Sequence, residues 1–171
     1  MKQDIPEKIK LFKFATRGLS FNKKYKLRDF QRVSMLASNL DDTVNVDLSF
    51  FLEKNNIPCV MGKIELKVIM TCQRCLGDVD ISLKPKFKLA YLHNEQQGDE
   101  IDSSYETILI KDEELSSIEF ITDEILISIP MIPMHINNCS IGIDKEILKN
   151  KKIESPFAIL KQIKTKPNKQ E

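Results

Sequence analysis

The sequence contains no tryptophan, two histidines and five scattered glycines in 171 residues. Gly18, Gly62, Gly77, Gly98 and Gly142 never form G-x-G or G-K-[ST], so the pattern of a phosphate-cradling loop is missing. There is no serine elbow and no H-E-x-x-H. The zinc-deaminase pattern also fails: Thr71, not proline, precedes the first thiol of the C-x-x-C pair, and no histidine stands ahead of an acid at the required spacing. These absences disfavour an enzyme and leave no small-molecule substrate to assign. No apolar run approaches the length needed to cross a bilayer, and Met1-Lys2-Gln3-Asp4-Ile5-Pro6-Glu7 lacks the apolar core of a secretory signal. The expectation is a cytoplasmic protein with no membrane association. In that compartment Cys59, Cys72, Cys75 and Cys139 are expected to be reduced thiols or metal ligands, not structural disulfides.

At 42% apolar residues the chain has material for one real core. The clearest pattern runs from Lys63 to Cys72. Ile64, Leu66, Val68 and Met70 alternate with Lys63, Glu65 and Lys67, the period of a half-buried strand. After Cys72-Gln73-Arg74-Cys75 and Gly77, the alternation resumes through Val79, Ile81 and Leu83, which predicts a β-hairpin with two thiols in its turn. Leu40 to Leu52 alternates as well, Asn55-Asn56 predicts a turn, and Ile57–Cys72 and Val79–Leu92 complete a three-strand antiparallel meander with Gly62 as a candidate bulge. A helix is expected over Pro6–Arg17, closed by Gly18, followed by an extended piece around Tyr25 to Leu27 and a short helix over Asp29–Ser38. Asn94–Ser104 reads as an exposed loop and Thr107–Ile110 as a short strand. Ser116 and Glu119 mark the start of a helix to Ile129, with Ile118, Ile121, Ile125 and Ile129 on one face. Pro130 and Pro133 end it. Ser155-Pro156 opens a last helix to Lys164. The fold class expected is α+β: a curved antiparallel meander, a packed central-to-C-terminal helix and short terminal helices. Residues 1–164 form one domain and 165–171 a flexible basic tail.

Charge is unevenly placed. Residues 1–34 carry ten Lys/Arg against three acids, 93–124 one lysine against eleven acids, and 145–171 eight lysines against three acids. Basic ends of this kind bind nucleic acid when they meet on one face, and otherwise neutralise the acidic middle or stay solvated. Candidate RNA contacts are Arg74 on the hairpin tip, Lys63 and Lys67 on the strand's polar side, and Arg17, Lys23 and Lys24 in the basic N-terminal part. Phe21, Tyr25 and Tyr91 are the aromatics available for base stacking, though each reads better as core.

Cys72 and Cys75 in a hairpin turn would supply half of a tetrahedral zinc site, and His135 with Cys139 is the well-spaced pair to complete it. The competing reading has Cys72 ending its strand in the core, with Cys75 and Cys139 as ordinary small residues. A redox role fits less well, because reactive C-x-x-C pairs sit at helix N-termini and strand follows here. Cys59 reads as core. Asp112, Glu113, Glu114, Glu119, Asp123 and Glu124 could hold a cation but fit better as helix-flanking and polar-face charges.

Three runs occur in order: Cys72-Gln73-Arg74-Cys75-Leu76; Asp123-Glu124-Ile125-Leu126 through Pro130, Pro133 and His135; and Ser155-Pro156-Phe157-Ala158-Ile159-Leu160-Lys161. Together, over roughly residues 40 to 164, they resemble the bacterial YceD family of large ribosomal RNA subunit accumulation proteins. The segment between Cys139 and Pro156 is shorter than in fuller members. The resemblance implies a non-enzymatic role in synthesis, processing or stability of large-subunit (23S) ribosomal RNA, with ribosomal RNA or assembly and RNA-processing proteins as partners. It carries over no catalytic residue. The alternative is a protein-binding adaptor that uses the acidic segment 94–124 without touching RNA; an RNA hydrolase, testable by metal-dependent cleavage, ranks third.

Overall fold

The spine of the fold is β4 (Pro58–Thr71), whose alternating sequence turns Val60, Ile64, Leu66 and Val68 inward and Met61, Lys63 and Lys67 outward. In this computed structural model residues 4–110, 114–137 and 139 are described. The unit treated below is Met1–Asn137. The predicted helix Pro156–Lys164, the tail 165–171, Asp112 and Glu113 lie outside the described residues.

β3 (Thr43–Leu52) pairs with one side of β4, with Leu48 opposite Gly62, and β2 (Ser20–Lys26) forms the outer edge beyond β3. On its other side β4 has two partners in succession. β6 (Lys86–Leu92) pairs with Cys59 to Lys63, and β5 (Asp78–Leu83) pairs with Leu66 to Thr71. The single strand expected over Val79–Leu92 is therefore two strands. Pro85 separates them, its carbonyl accepting from the Ile64 N–H (3.1 Å) and its ring lacking an N–H to continue a ladder. β7 (Glu106–Leu109) joins β6 in parallel, a departure from the all-antiparallel expectation. The result is an open α+β sheet.

Gly62 is not a bulge. It pairs in unbroken register with Leu48 and Phe87, and the Phe87 ring occupies the space a Cβ would need. Phe120 then meets Phe87 edge-on, ring centroids 5.7 Å apart. Phe120 lies on α3 (Ser117–Ser128), capped as expected by Ser116, whose Oγ accepts from the Glu119 N–H. Ile121 and Ile125 of α3 are buried with Val44, Val46, Leu48, Phe50, Ile64 and Leu89 in one core on the inner sheet face. On that face each fully buried aliphatic side chain contributes about 1.5–3 kcal/mol relative to exposure.

The N-terminal helix is shorter than predicted. Lys8–Lys10 is β1, which pairs with β8 (Glu114–Ser116), and only Leu11–Thr16 is helical (α1). Gly18 does close it, at φ +59, with its N–H on Ala15 O and the Leu19 N–H on Phe14 O. The predicted helix over Asp29–Ser38 is a 3-10 turn, Leu27–Asp29, followed by α2 (Gln31–Ser34). Phe30 and Val33 are buried, but Met35 and Leu36 are exposed. Asn55 and Asn56 turn with positive φ as expected. The predicted loop after β6 includes a 3-10 stretch, Glu95–Glu100. On the outer sheet face Ile101 and Tyr105 cover a small second cluster of Ile57, Cys59, Ala90 and Leu92. Among the described residues no helix is long and apolar enough to cross a membrane.

Candidate functional site

β4 stops at Thr71 and β5 starts at Asp78, so Cys72 to Gly77 form the tip of the hairpin. The Cys72 N–H donates to Gly77 O (2.8 Å) and the Leu76 N–H to Cys72 O (2.9 Å), folding the tip into a knuckle. Closing it places Leu76 at φ +60, a conformation that costs roughly 1 kcal/mol for a residue with a Cβ. Burial by itself raises the pKa of the Cys72 thiol, but backbone N–H groups of Cys75, Arg74 and His135 and the Cys75 side chain outweigh it and bring the value down to about 5. A thiol so acidified is available as thiolate, the form that binds metal.

Pro130 and Pro133 keep the chain after α3 from continuing as helix, and it returns along the hairpin tip. The Gln73 N–H donates to Pro133 O (2.8 Å), and the Arg74 guanidinium donates to the carbonyls of His135 (3.1 Å) and Asn137 (2.6 Å). His135 is thereby brought to the knuckle. Its Nε2 lies 2.9 Å from Asp78 O, an acceptor only, so Nε2 carries the proton and Nδ1 presents a lone pair. Nδ1 lies 3.4 Å from Cys75 Sγ. Within this unit the ligand atoms of Cys72, Cys75 and His135 fall within 4.8 Å of one another; Cys139 belongs to the unit that follows. Tetrahedral zinc with Zn–S bonds of about 2.3 Å spaces its ligands about 3.8 Å apart. The donor set therefore fits part of a divalent metal site: two thiols, one of them acidified, and an imidazole whose far nitrogen is anchored on a backbone carbonyl, the outer-shell arrangement common at such ligands. Cys59 lies elsewhere, buried in the second cluster, where burial and then the Glu53 carboxylate push its thiol up to about 11.

The residues nominated for RNA contact separate into groups. Lys63 and Lys67 of β4 and Lys24 of β2 project from the outer face of the sheet. Lys63 stands in one lateral row with Asp47 and Lys86 and bonds Glu65 at 2.7 Å. Lys86 and Lys88 of β6, which sequence reasoning missed, share this face and, with Ser49, Met61 and Ser104, line a concavity of about 610 Å³. The signal was available in the alternation Lys86-Phe87-Lys88. Lys23 belongs to the opposite face, 3.4 Å from Asp4 and over the Tyr25 ring. Arg17 is exposed at the end of α1. Phe21 and Tyr91 are buried, and Tyr25 packs edge-on against Phe30.

The acidic cluster is dispersed. Glu114 bonds Lys8 and Lys10, and Asp123 bonds Arg32. Glu124 is half-buried on α3, where desolvation, then Glu106 and Asp123, push its carboxyl up to about 7.

Comparison with known proteins gives a match to a family model and to curated proteins. Residues 60–164 match the family model described as large ribosomal RNA subunit accumulation protein YceD. The large ribosomal RNA subunit accumulation protein YceD of Haemophilus influenzae is 26% identical over 172 residues, spanning 96% of this chain and 99% of the relative. No solved structure matches the chain.

Proposed function

The chain belongs to the YceD family of large ribosomal RNA subunit accumulation proteins, and from that premise we propose that it is a non-enzymatic, cytoplasmic ribosome-biogenesis factor that supports 23S ribosomal RNA by binding RNA phosphates through the outer face of its sheet. The observation that carries this reading is the convergence of the exposed Lys24, Lys63, Lys67, Lys86 and Lys88 on one face of the sheet. Lysines there bind phosphate as point charges, which gives affinity without sequence choice. Specificity then rests on RNA shape or on a protein partner in assembly or processing. The test is binding of a 23S fragment to the full chain across a salt series. Affinity should fall steeply as counterions compete, and a strain lacking the protein should show a lowered ratio of large- to small-subunit ribosomal RNA. Salt-independent binding, or an unchanged ratio, would remove the proposal.

In this reading Cys72, Cys75, His135 and Cys139 hold one zinc. With four protein ligands the site is closed, so the ion serves as a cross-link and not as a Lewis acid toward substrate. It ties the hairpin tip to the segment after α3. Arg74, hydrogen-bonded to that segment, has a positioning role there in addition to the charge it offers RNA.

A second reading, an adaptor acting through residues 94–124, is favoured by one feature: β7, inside that segment, is an exposed strand at the sheet edge. An adaptor would leave naked RNA unbound at every salt concentration.

A further inference from the structure

Beside the knuckle runs a groove of about 780 Å³, bounded by β5 on one side and residues 130–137 on the other. Two features of it are independent of the lysine face. The first is backbone. The Ile64 N–H points to the β5–β6 side of β4, since it donates to Pro85 O. The even-numbered residues Leu66, Val68 and Met70 therefore exchange hydrogen bonds with Leu83, Ile81 and Val79, their partners in register. The peptide groups of Asp78, Asp80 and Ser82 consequently face away from β4. Asp78 O agrees with this, being taken by His135. Among the described residues β5 pairs with β4 alone, so the edge at Asp80 and Ser82 is open.

The second feature is the wall. Ile132, Met134 and Ile136 are exposed along the groove, Ile136 completely, and the neighbouring Met131 is 97% exposed. A monomer gains nothing from holding adjacent large apolar side chains in water, and flexible methionines suit a surface that adapts to a guest. Above the open edge stand the carboxylates of Asp78 and Asp80, both on exposed residues.

An open strand edge, aliphatic side chains on one flank and two carboxylates on the same strand define the guest. We infer that this groove binds an extended segment of a partner protein in which lysine or arginine alternates with aliphatic residues, added as a strand to the free edge of β5. Backbone hydrogen bonds to Asp80 and Ser82 supply affinity, the aliphatic side chains lie against Ile132, Met134 and Ile136, and the cations meet Asp78 and Asp80. The carboxylates also keep the edge from pairing with a second copy's identical β5, where like charges would face each other. A polyanion is disfavoured by the same two carboxylates. The factor would thus carry two surfaces of opposite preference, one for RNA and one for a basic protein segment.

The test is fluorescence anisotropy of a dye-labelled peptide alternating lysine and valine, titrated with the purified full-length protein at physiological ionic strength. Micromolar binding is expected. It should be lost for a glutamate–valine peptide and for the lysine–valine peptide N-methylated at alternate amides, which cannot pair with a strand edge. Asp80→Lys and Ile136→Asp should each weaken binding by about tenfold or more while circular dichroism and RNA affinity stay as in the parent. Equal binding of the N-methylated peptide, or unchanged binding by Asp80→Lys, would overturn the strand-addition model. Displacement of the peptide by a single-stranded RNA oligomer would make the groove a nucleic-acid site and overturn it as well.

Discussion

A side chain at position 62 would overlap the ring of Phe87, so Gly62 exists to let that ring lie flat across β4 and receive Phe120 from α3. Gly62→Ala should destabilise the fold by roughly 1–3 kcal/mol, the usual cost of overpacking, read from urea midpoints. In a Phe87→Ala background the same change should cost less than half as much, since the obstructing ring is gone; equal costs in the two backgrounds would show that the ring is not what excludes a Cβ. Glu124 supplies a pH prediction. Its folded-state carboxyl titrates at about 7 against an ordinary 4.5. The folded state therefore holds the proton more tightly than the unfolded one, and stability falls as pH rises from about 4.5 through 7. Glu124→Gln should leave stability near pH 4 unchanged and raise it at pH 8 by about 1 kcal/mol, a figure discounted for solvent screening at a half-buried site. A gain of the same size at pH 4 would mean that the negative charge is not the cause. Near Glu124 the Tyr91 hydroxyl is buried and, among the described residues, without a hydrogen-bond partner.

At the level of elements, the hairpin tip is held to residues 130–137 by the hydrogen bonds of Gln73, Arg74 and His135 and by the metal site proposed above. Purified protein should contain one zinc per chain by elemental analysis. The Cys72→Ser/Cys75→Ser variant, or a strong chelator, should remove it and lower the melting temperature by several degrees. Metal-free protein with an unaltered melt would leave the thiols as packing residues. Arg74 separates two roles by substitution. Arg74→Lys preserves charge but loses the paired reach to the carbonyls of His135 and Asn137. If positioning dominates, this variant should melt earlier, like Arg74→Ala; if Arg74 acts by its charge on RNA alone, it should match the parent in both stability and RNA affinity.

For the whole molecule, the lysine face predicts a salt-dependent affinity that a few substitutions should flatten. Reversing Lys63, Lys86 and Lys88 to glutamate should reduce the slope of log affinity against log salt by about 2 for single-stranded RNA, at about 0.7 for each phosphate that is no longer neutralised. The fold should survive, because all three side chains are exposed. The near-neutral total charge of +1 gives no hint of this, because many of the acids stand elsewhere: Glu114 faces Lys8 and Lys10, and Asp123 faces Arg32, while Asp47 and Glu65 share the lysine face.

What could be read in the linear sequence was local. Alternation assigned the inner and outer faces of β3, β4 and β5, Ser116 and Gly18 marked their helix ends, and three motifs in order carried the family. Each rests on residues a few positions apart, where the strand period of two or a capping geometry acts directly. The tertiary structure decided which surfaces meet. Period says which way a side chain points but not which strand lies beside it, so β4 sharing its edge between β5 and β6, the parallel approach of β7, and the Phe87 ring over Gly62 were all invisible until pairing was known. The metal cluster stands between the two. The chemistry of Cys72, Cys75, His135 and Cys139 was legible as a candidate from residue type, but His135 is sixty residues from Cys75, and only the return of the chain after Pro130, held by Arg74, brings its imidazole to the thiols.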